Sequence, residues 1–182
     1  MSFHATMSCV LITLALQLTR VYAGCAITPV NGHVDIPSDW TSIDENAFNG
    51  CTILETVSIP GSVTSIGGDA FYDCSSLKTV SIPNSVTSIG IRAFAGCTSL
   101  ETVSIPDSVT SIGGSAFRQC SSLKTMSIPD SVTTINSGVF SYCSKLETVS
   151  IGNSVTTIGG STFYDCSSLK TVSIGDSVTS IE

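Results

Sequence analysis

The sequence predicts a solenoid of stacked 23-residue coils that share a parallel β-sheet. Three observations carry that expectation. A cysteine recurs every 23 residues, at Cys51, Cys74, Cys97, Cys120, Cys143 and Cys166. A complete unit is written five times over residues 54–168, starting with LETVSIPGSVTSIGGDAFYDCSS at 54–76. Inside each unit, apolar and hydroxyl residues alternate with period two. Repeats of this length bury their apolar face only by stacking, so they make coils rather than a globule with a cleft.

The boundaries follow from the repeat. Residues 1–23 read as a secretory signal: the apolar run CVLITLALQL at 9–18 is too short for an ordinary membrane span and is followed by Val21-Tyr22-Ala23, small or apolar where a signal peptidase cuts. The run has no Lys or Arg before it, only His4, which departs from the usual pattern. Tyr22 stands where a bacterial lipoprotein box wants leucine, against lipidation at Cys25. Residues 24–53 hold an N-terminal segment and a degenerate first coil, 54–168 the five complete repeats, and 169–182 a truncated one. The chain ends in mid-coil at Ile181-Glu182 without a recognisable cap, so its last edge is expected to be open.

Each unit can be numbered from its leucine (Leu54, Leu77, Leu100, Leu123, Leu146, Leu169). Positions 4 and 6 carry Val or Met and Ile, with hydroxyls at 3 and 5 between them. β-branched residues at period two describe a strand with one face buried. Proline at position 7 (Pro60, Pro83, Pro106, Pro129) ends the strand because it has no N–H for the ladder, and Gly152 and Gly175 replace it in the last coils. Gly, Asn or Asp at position 8 suits a turn. A second short apolar segment follows, with Val63 and Ile66 pointing in, then a glycine corner. Ala70-Phe71 and its equivalents are expected to form one helical or 3₁₀ turn that closes on the cysteine.

Identical coils place identical residues about 4.8 Å apart across a parallel sheet, so like charges would repel there. Position 2 alternates Glu55, Lys78, Glu101, Lys124, Glu147, Lys170. In-register stacking is expected to set each acid between two bases, except at the end.

The pattern LxxVxIPxSVTxIGxxAFxxC resembles the BspA-type leucine-rich repeat over residues 31–182. The resemblance implies a right-handed curved solenoid with the parallel β-sheet on its concave face. It also implies a secreted or cell-surface location and an adhesive role. The implied partners are protein or glycoprotein ligands such as extracellular matrix, plasma proteins or another cell surface.

The residues allow three functions. The first is a binding protein that uses the outward hydroxyl grid: Thr56/Ser58, Thr79/Ser81, Thr102/Ser104, Thr125/Ser127, Thr148/Ser150 and Thr171/Ser173. The second is a self-assembling scaffold whose coils stack end to end. The third is an ice-binding surface built on the same grid, against which speak the implied curvature and the serine at position 5. Hydroxyls also solubilise a strand face with no partner at all. Trp40 stands where later coils carry valine, as a cover for the first coil or an anchor for a partner.

Other classes find little support. The formal charge is −7, or −8 once Arg20 leaves with the signal, and the seven basic residues are dispersed, which disfavours nucleic acid. The six ladder cysteines sit in different coils without a histidine ladder, unlike a zinc site. Parallel Cβ vectors on neighbouring coils converge poorly for disulfides, so the ladder reads as buried free thiols, with Cys25 left without a ladder partner. His33 reads as a surface residue of the first coil, and no nucleophile elbow or acid–base pair appears. The expectation is a non-enzymatic protein with no cofactor and no small-molecule substrate.

Overall fold

A computed structural model describes residues 24–182, and the expected signal segment lies outside the described residues. The described residues form a parallel-strand solenoid that runs through fourteen short strands, two to a coil. The first strand of each coil is β1 (His33–Asp35), β3 (Thr56–Ser58), β5 (Thr79–Ser81), β7 (Thr102–Ser104), β9 (Thr125–Ile128), β11 (Thr148–Ile151) and β13 (Thr171–Ser173). The second is β2 (Ser42–Ile43), β4 (Ser65–Ile66), β6 (Ser88–Ile89), β8 (Ser111–Ile112), β10 (Thr134–Ile135), β12 (Thr157–Ile158) and β14 (Ser180–Ile181). Pairing joins residues one repeat apart, Thr79 with Thr102 and Ser65 with Ser88, so the coils stack in register.

The core is a set of ladders. Leu54, Leu77, Leu100, Leu123 and Leu146 are fully buried, as are Phe48, Phe71, Phe94, Phe117 and Phe140. The phenylalanine rings stack nearly parallel, with centroids 5.2 Å apart for Phe48–Phe71 and 5.4 Å for Phe94–Phe117. Below them Cys74, Cys97, Cys120, Cys143 and Cys166 are buried free thiols. Each Sγ donates to a phenylalanine carbonyl of the preceding coil, Cys74 to Phe48 at 3.0 Å and Cys120 to Phe94 at 3.2 Å. Burial removes the thiolate's hydration and pushes the Cys74 and Cys143 thiols up to about 12.

Two expectations need correction. Cys25 is not unpaired: it forms a disulfide with Cys51, with the Cα atoms 5.1 Å apart. Cys25 falls 23 residues before Phe48, on the phenylalanine ladder and not the cysteine ladder. The separation of 26 residues is the one that elsewhere sets a thiol against the preceding phenylalanine carbonyl. The poor convergence of side chains at equivalent positions therefore does not apply to this pair. The Ala-Phe segment is also not helical; among the described residues no helix forms. Positions 16 and 20 are left-handed in coil after coil, as at Asp69 (φ 53) and Asp73 (φ 54), and two such residues four apart interrupt a helical run. The N–H groups between them divide their bonds. Tyr72 N donates to Asp69 O at 3.0 Å within its coil, while Phe71 N donates to Ala93 O at 2.7 Å in the next.

The stack has one interruption. The first strands form a four-stranded sheet β1-β3-β5-β7 and a three-stranded sheet β9-β11-β13; the second strands divide at the same rung, into β2-β4-β6-β8 and β10-β12-β14. Position 14 explains the division. A Cβ on Gly90 would lie 2.5 Å from Gly67 C, and one on Gly113 would lie 2.4 Å from Ile91 N, so the coils touch backbone to backbone there. Asn136 occupies this position in the coil that starts the second pair of sheets. Its Cβ wedges the coil away from its predecessor. On the turn side the ladder continues across the gap, with Ser115 N to Ser137 O at 3.0 Å and Gln119 N to Ser141 O at 2.8 Å. The two sheets thus splay about an intact third edge.

The charged row pairs only in part. Lys78 Nζ lies 2.5 Å from Glu55 Oε2 and Lys170 Nζ lies 2.8 Å from Glu147 Oε2. Among the described residues Glu101 pairs with neither Lys78 nor Lys124, and Lys124 does not pair with Glu147, so each acid meets at most one base instead of the expected two, within the sheets as well as across the interruption. Trp40 is half-buried against the first coil's end of the core. Ser85 and Ser108 donate to the valine carbonyls of their preceding coils, whereas the equivalent Ser62 hydroxyl, in the coil that follows Trp40, is buried without a partner.

Candidate binding face

The outward hydroxyls of the first strands line up across each sheet. Thr56 faces Thr79 and Thr79 faces Thr102; after the interruption Thr125 faces Thr148 and Thr148 faces Thr171. Ser81 faces Ser104, and Ser127, Ser150 and Ser173 form the matching row. All these side chains are exposed except Thr56, which is half-buried. Period-two alternation sends Val57, Val80, Met126 and Val149 into the core, which holds the hydroxyls at fixed spacing on a rigid base.

His33 and Asp35 supply the first rung in place of threonine and serine. His33 Nδ1 lies 2.7 Å from Thr56 Oγ1, and Nε2 lies 3.1 Å from Asp35 Oδ1 and 3.1 Å from Ser58 Oγ. Hydrogen bonds from His33 and then Ser58 hold the Asp35 carboxyl below its usual range. The set resembles a nucleophile–histidine–acid array only in composition. It lies on an open strand face with Asp35 81% exposed, and Asp35 and Ser58 share one ring nitrogen. It closes the edge of the sheet with polar contacts.

Two cavities open on this face. One of about 340 Å³ spans the gap between β7 and β9 and is lined by Val103, Ser104, Thr125, Ser127 and Ser150 among others. Val103 is partly buried there, as is Val172 in the last coil, whereas their equivalents Val80 and Val149 are 5% and 0% exposed. The other, of about 410 Å³, continues from Ser127 and Ser150 past Asp107, Asp130 and Asn153 to Gly175. Its walls depend on the change from proline to glycine at position 7. Gly152 N donates to Ile128 O at 3.0 Å, a bond that proline cannot make, and β9 and β11 run one residue longer than their predecessors.

Two surface features lay beyond what the sequence had suggested. A second hydroxyl row covers the other sheets, where Thr64 Oγ1 donates to Thr41 O at 3.0 Å and Thr87 Oγ1 to Thr64 O at 3.2 Å. The Val-Thr-Ser-Ile spacing was the available signal for it. Away from the sheets, Arg118 lies 5.1 Å over the Tyr142 ring, and Tyr142 meets Tyr164 edge-on at 5.3 Å. These residues vary from coil to coil, so periodicity does not reveal them.

The model of the BspA type leucine rich repeat region matches residues 19–85 and 64–182, in six copies. Among solved structures, a leucine-rich repeat protein from Bacteroides ovatus is 30% identical with a TM-score of 0.65, covering 85% of this chain and 49% of its own. A leucine rich cell surface protein from Faecalibacterium prausnitzii is 33% identical with a TM-score of 0.70, covering 81% and 48%. The leucine rich repeat protein of T. pallidum is 28% identical with a TM-score of 0.64, covering 75% and 77%. The chain therefore spans about half the length of the first two. No curated protein matches it. In-register coils, the position-by-position repeat and the match over most of the chain lead to one conclusion: this chain belongs to the BspA-type leucine-rich repeat family.

Proposed function

We propose that this is a secreted or surface-exposed binding protein that recognises other macromolecules through the hydroxyl face of its first sheets. The observation that carries the reading is the register of that face: within each sheet, threonine and serine rows, exposed except at Thr56, line up over a base of mostly buried Val, Met and Ile. An extended solenoid face offers a large contact area without rearranging. The F. prausnitzii relative is described as a cell surface protein, which supports the same location here. A protein or glycoprotein of a matrix or another cell is the partner class.

The test is capture of immobilised matrix proteins and of whole cells by residues 24–182. The triple variant Thr102→Lys/Thr125→Lys/Thr148→Lys should lose capture while keeping its melting temperature within a few degrees, because all three side chains are exposed. Capture undiminished in the variant would move the contact to another face.

A further inference from the structure

We propose that the trough running from the β7/β9 gap to Gly175 is a binding site for an uncharged glycan. The inference rests on the proposed use of this face and names the chemistry of its ligand. The two cavities share Ser127 and Ser150 and so adjoin along the same face. At about 340 and 410 Å³ each is of small-ligand size.

The lining selects the ligand. Hydroxyls, which both donate and accept, alternate along the floor at Thr125, Ser127 and Ser150, and sugar hydroxyls have the same dual character. The carboxylates of Asp107 and Asp130 stand at one side as acceptors. Asp130 is oriented already, since its Oδ1 accepts from Asn153 N at 2.6 Å. Two acids, with no Lys, Arg or His in either lining, disfavour sulfated, phosphorylated or sialylated chains. Partly buried Val103 in the lining supplies an apolar contact for a pyranose C–H face.

The opening has an identifiable cause. Asn136 keeps its coil off the preceding one, and the gap between β7 and β9 is the consequence on the hydroxyl face. Asn136 lies outside both linings, so it tests the site without touching the ligand.

The experiment measures retention of the chain on immobilised neutral oligosaccharides of α- and β-linked hexoses, beside heparin and sialylated chains. Wild type should be retained on a neutral class and pass through heparin. Ser127→Lys/Ser150→Lys should weaken retention more than tenfold, and Asn136→Gly should weaken it by closing the gap. Thr87→Lys, on the other sheet, should match wild type. No retention on any neutral chain, retention on heparin instead, or full retention by the Ser127/Ser150 variant overturns the proposal. A second arm separates it from the broader reading. Capture of a matrix glycoprotein that survives enzymatic removal of its glycans, yet is lost in the Thr102/Thr125/Thr148 variant, defeats the glycan and leaves the binding face standing.

Discussion

Asn136 Nδ2 donates to the Ile112 carbonyl at 2.6 Å. In the coils on either side the same carbonyl position is served by a glycine backbone N–H: Gly113 to Ile89 at 2.8 Å and Gly159 to Ile135 at 2.8 Å. A side chain has replaced a main-chain rung. The carbonyl stays satisfied, yet the strands beside it lose their pairing, because the side-chain bridge is longer than the backbone contact it replaces.

Replacing Asn136 with glycine should therefore join the four- and three-stranded sheets. Each restored ladder bond contributes about 1 kcal/mol, and the added glycine costs about 0.5–1 kcal/mol of chain entropy. The net expectation is a gain of about 1 kcal/mol, with new hydrogen-exchange protection at the Lys124 and Thr133 amides. Unchanged exchange at those amides would refute the wedge.

The converse change should be costly. Gly90→Ala places a methyl against Gly67 backbone, 2.5 Å from its carbonyl carbon, where no flexible side chain can give way. Overpacking of this kind costs about 1–3 kcal/mol, and the coils should splay at a second rung. Urea unfolding with the same slope and a lower midpoint is the expected result.

The Cys25–Cys51 bond closes a 26-residue separation at the first coil. Loop-closure entropy for that length amounts to about 3 kcal/mol. Cys25→Ser should lower the melting temperature measurably, and reductant should shift wild type while leaving the variant unmoved. The ladder cysteines are free thiols, so among the described residues reductant has no other disulfide to act on.

The ladder also sets an alkaline limit. Folded Cys74 and Cys143 titrate at about 12, raised by burial from an ordinary 9.0, and burial likewise raises Cys97 and Cys120 well above that value. Above pH 9.0 the unfolded chain releases these protons while the folded chain retains them, so stability falls as pH rises. Each thiol contributes about 1.4 kcal/mol per pH unit over that window, and below it the contribution is complete. Chemical denaturation at pH 8, 9 and 10 should show a falling midpoint, and Cys120→Ala should flatten the slope.

Phe94→Ala removes an interior ring of a six-ring stack, five of whose rings are fully buried. The cavity should cost about 3–5 kcal/mol, against less than about 0.5 kcal/mol for an exposed change such as Thr79→Ser. Equal effects in thermal melts would contradict the shared spine.

Much of the architecture was legible because it repeats. Leucine, valine, isoleucine and phenylalanine at fixed offsets specify one buried side per segment, and stacking in register follows from burying all of them together. The closing turn was misjudged because Ala-Phe reads as helical while the left-handed residues around it, Asp69, Arg92, Ser115 and Ser161 among them, share no side-chain type. The disulfide was missed because Cys25 belongs to a different ladder from Cys51, a relationship of position 18 to position 21 that only the fold makes close. The hydroxyl rows at positions 3 and 5 were visible as alternation; the trough was not, since it arises from one asparagine and two glycines that depart from the repeat.

By itself the sequence determined the coil, its period, its buried spine and the polarity of each face, because these are set by local alternation and copied in each repeat. Tertiary structure alone decided where the stack divides, which cysteine is oxidised and where a cavity opens. The division and the cavity depend on how closely one coil approaches the next at Asn136, and the disulfide on the approach of two different ladders at the first coil, contacts invisible to any pattern that treats the coils as equivalent.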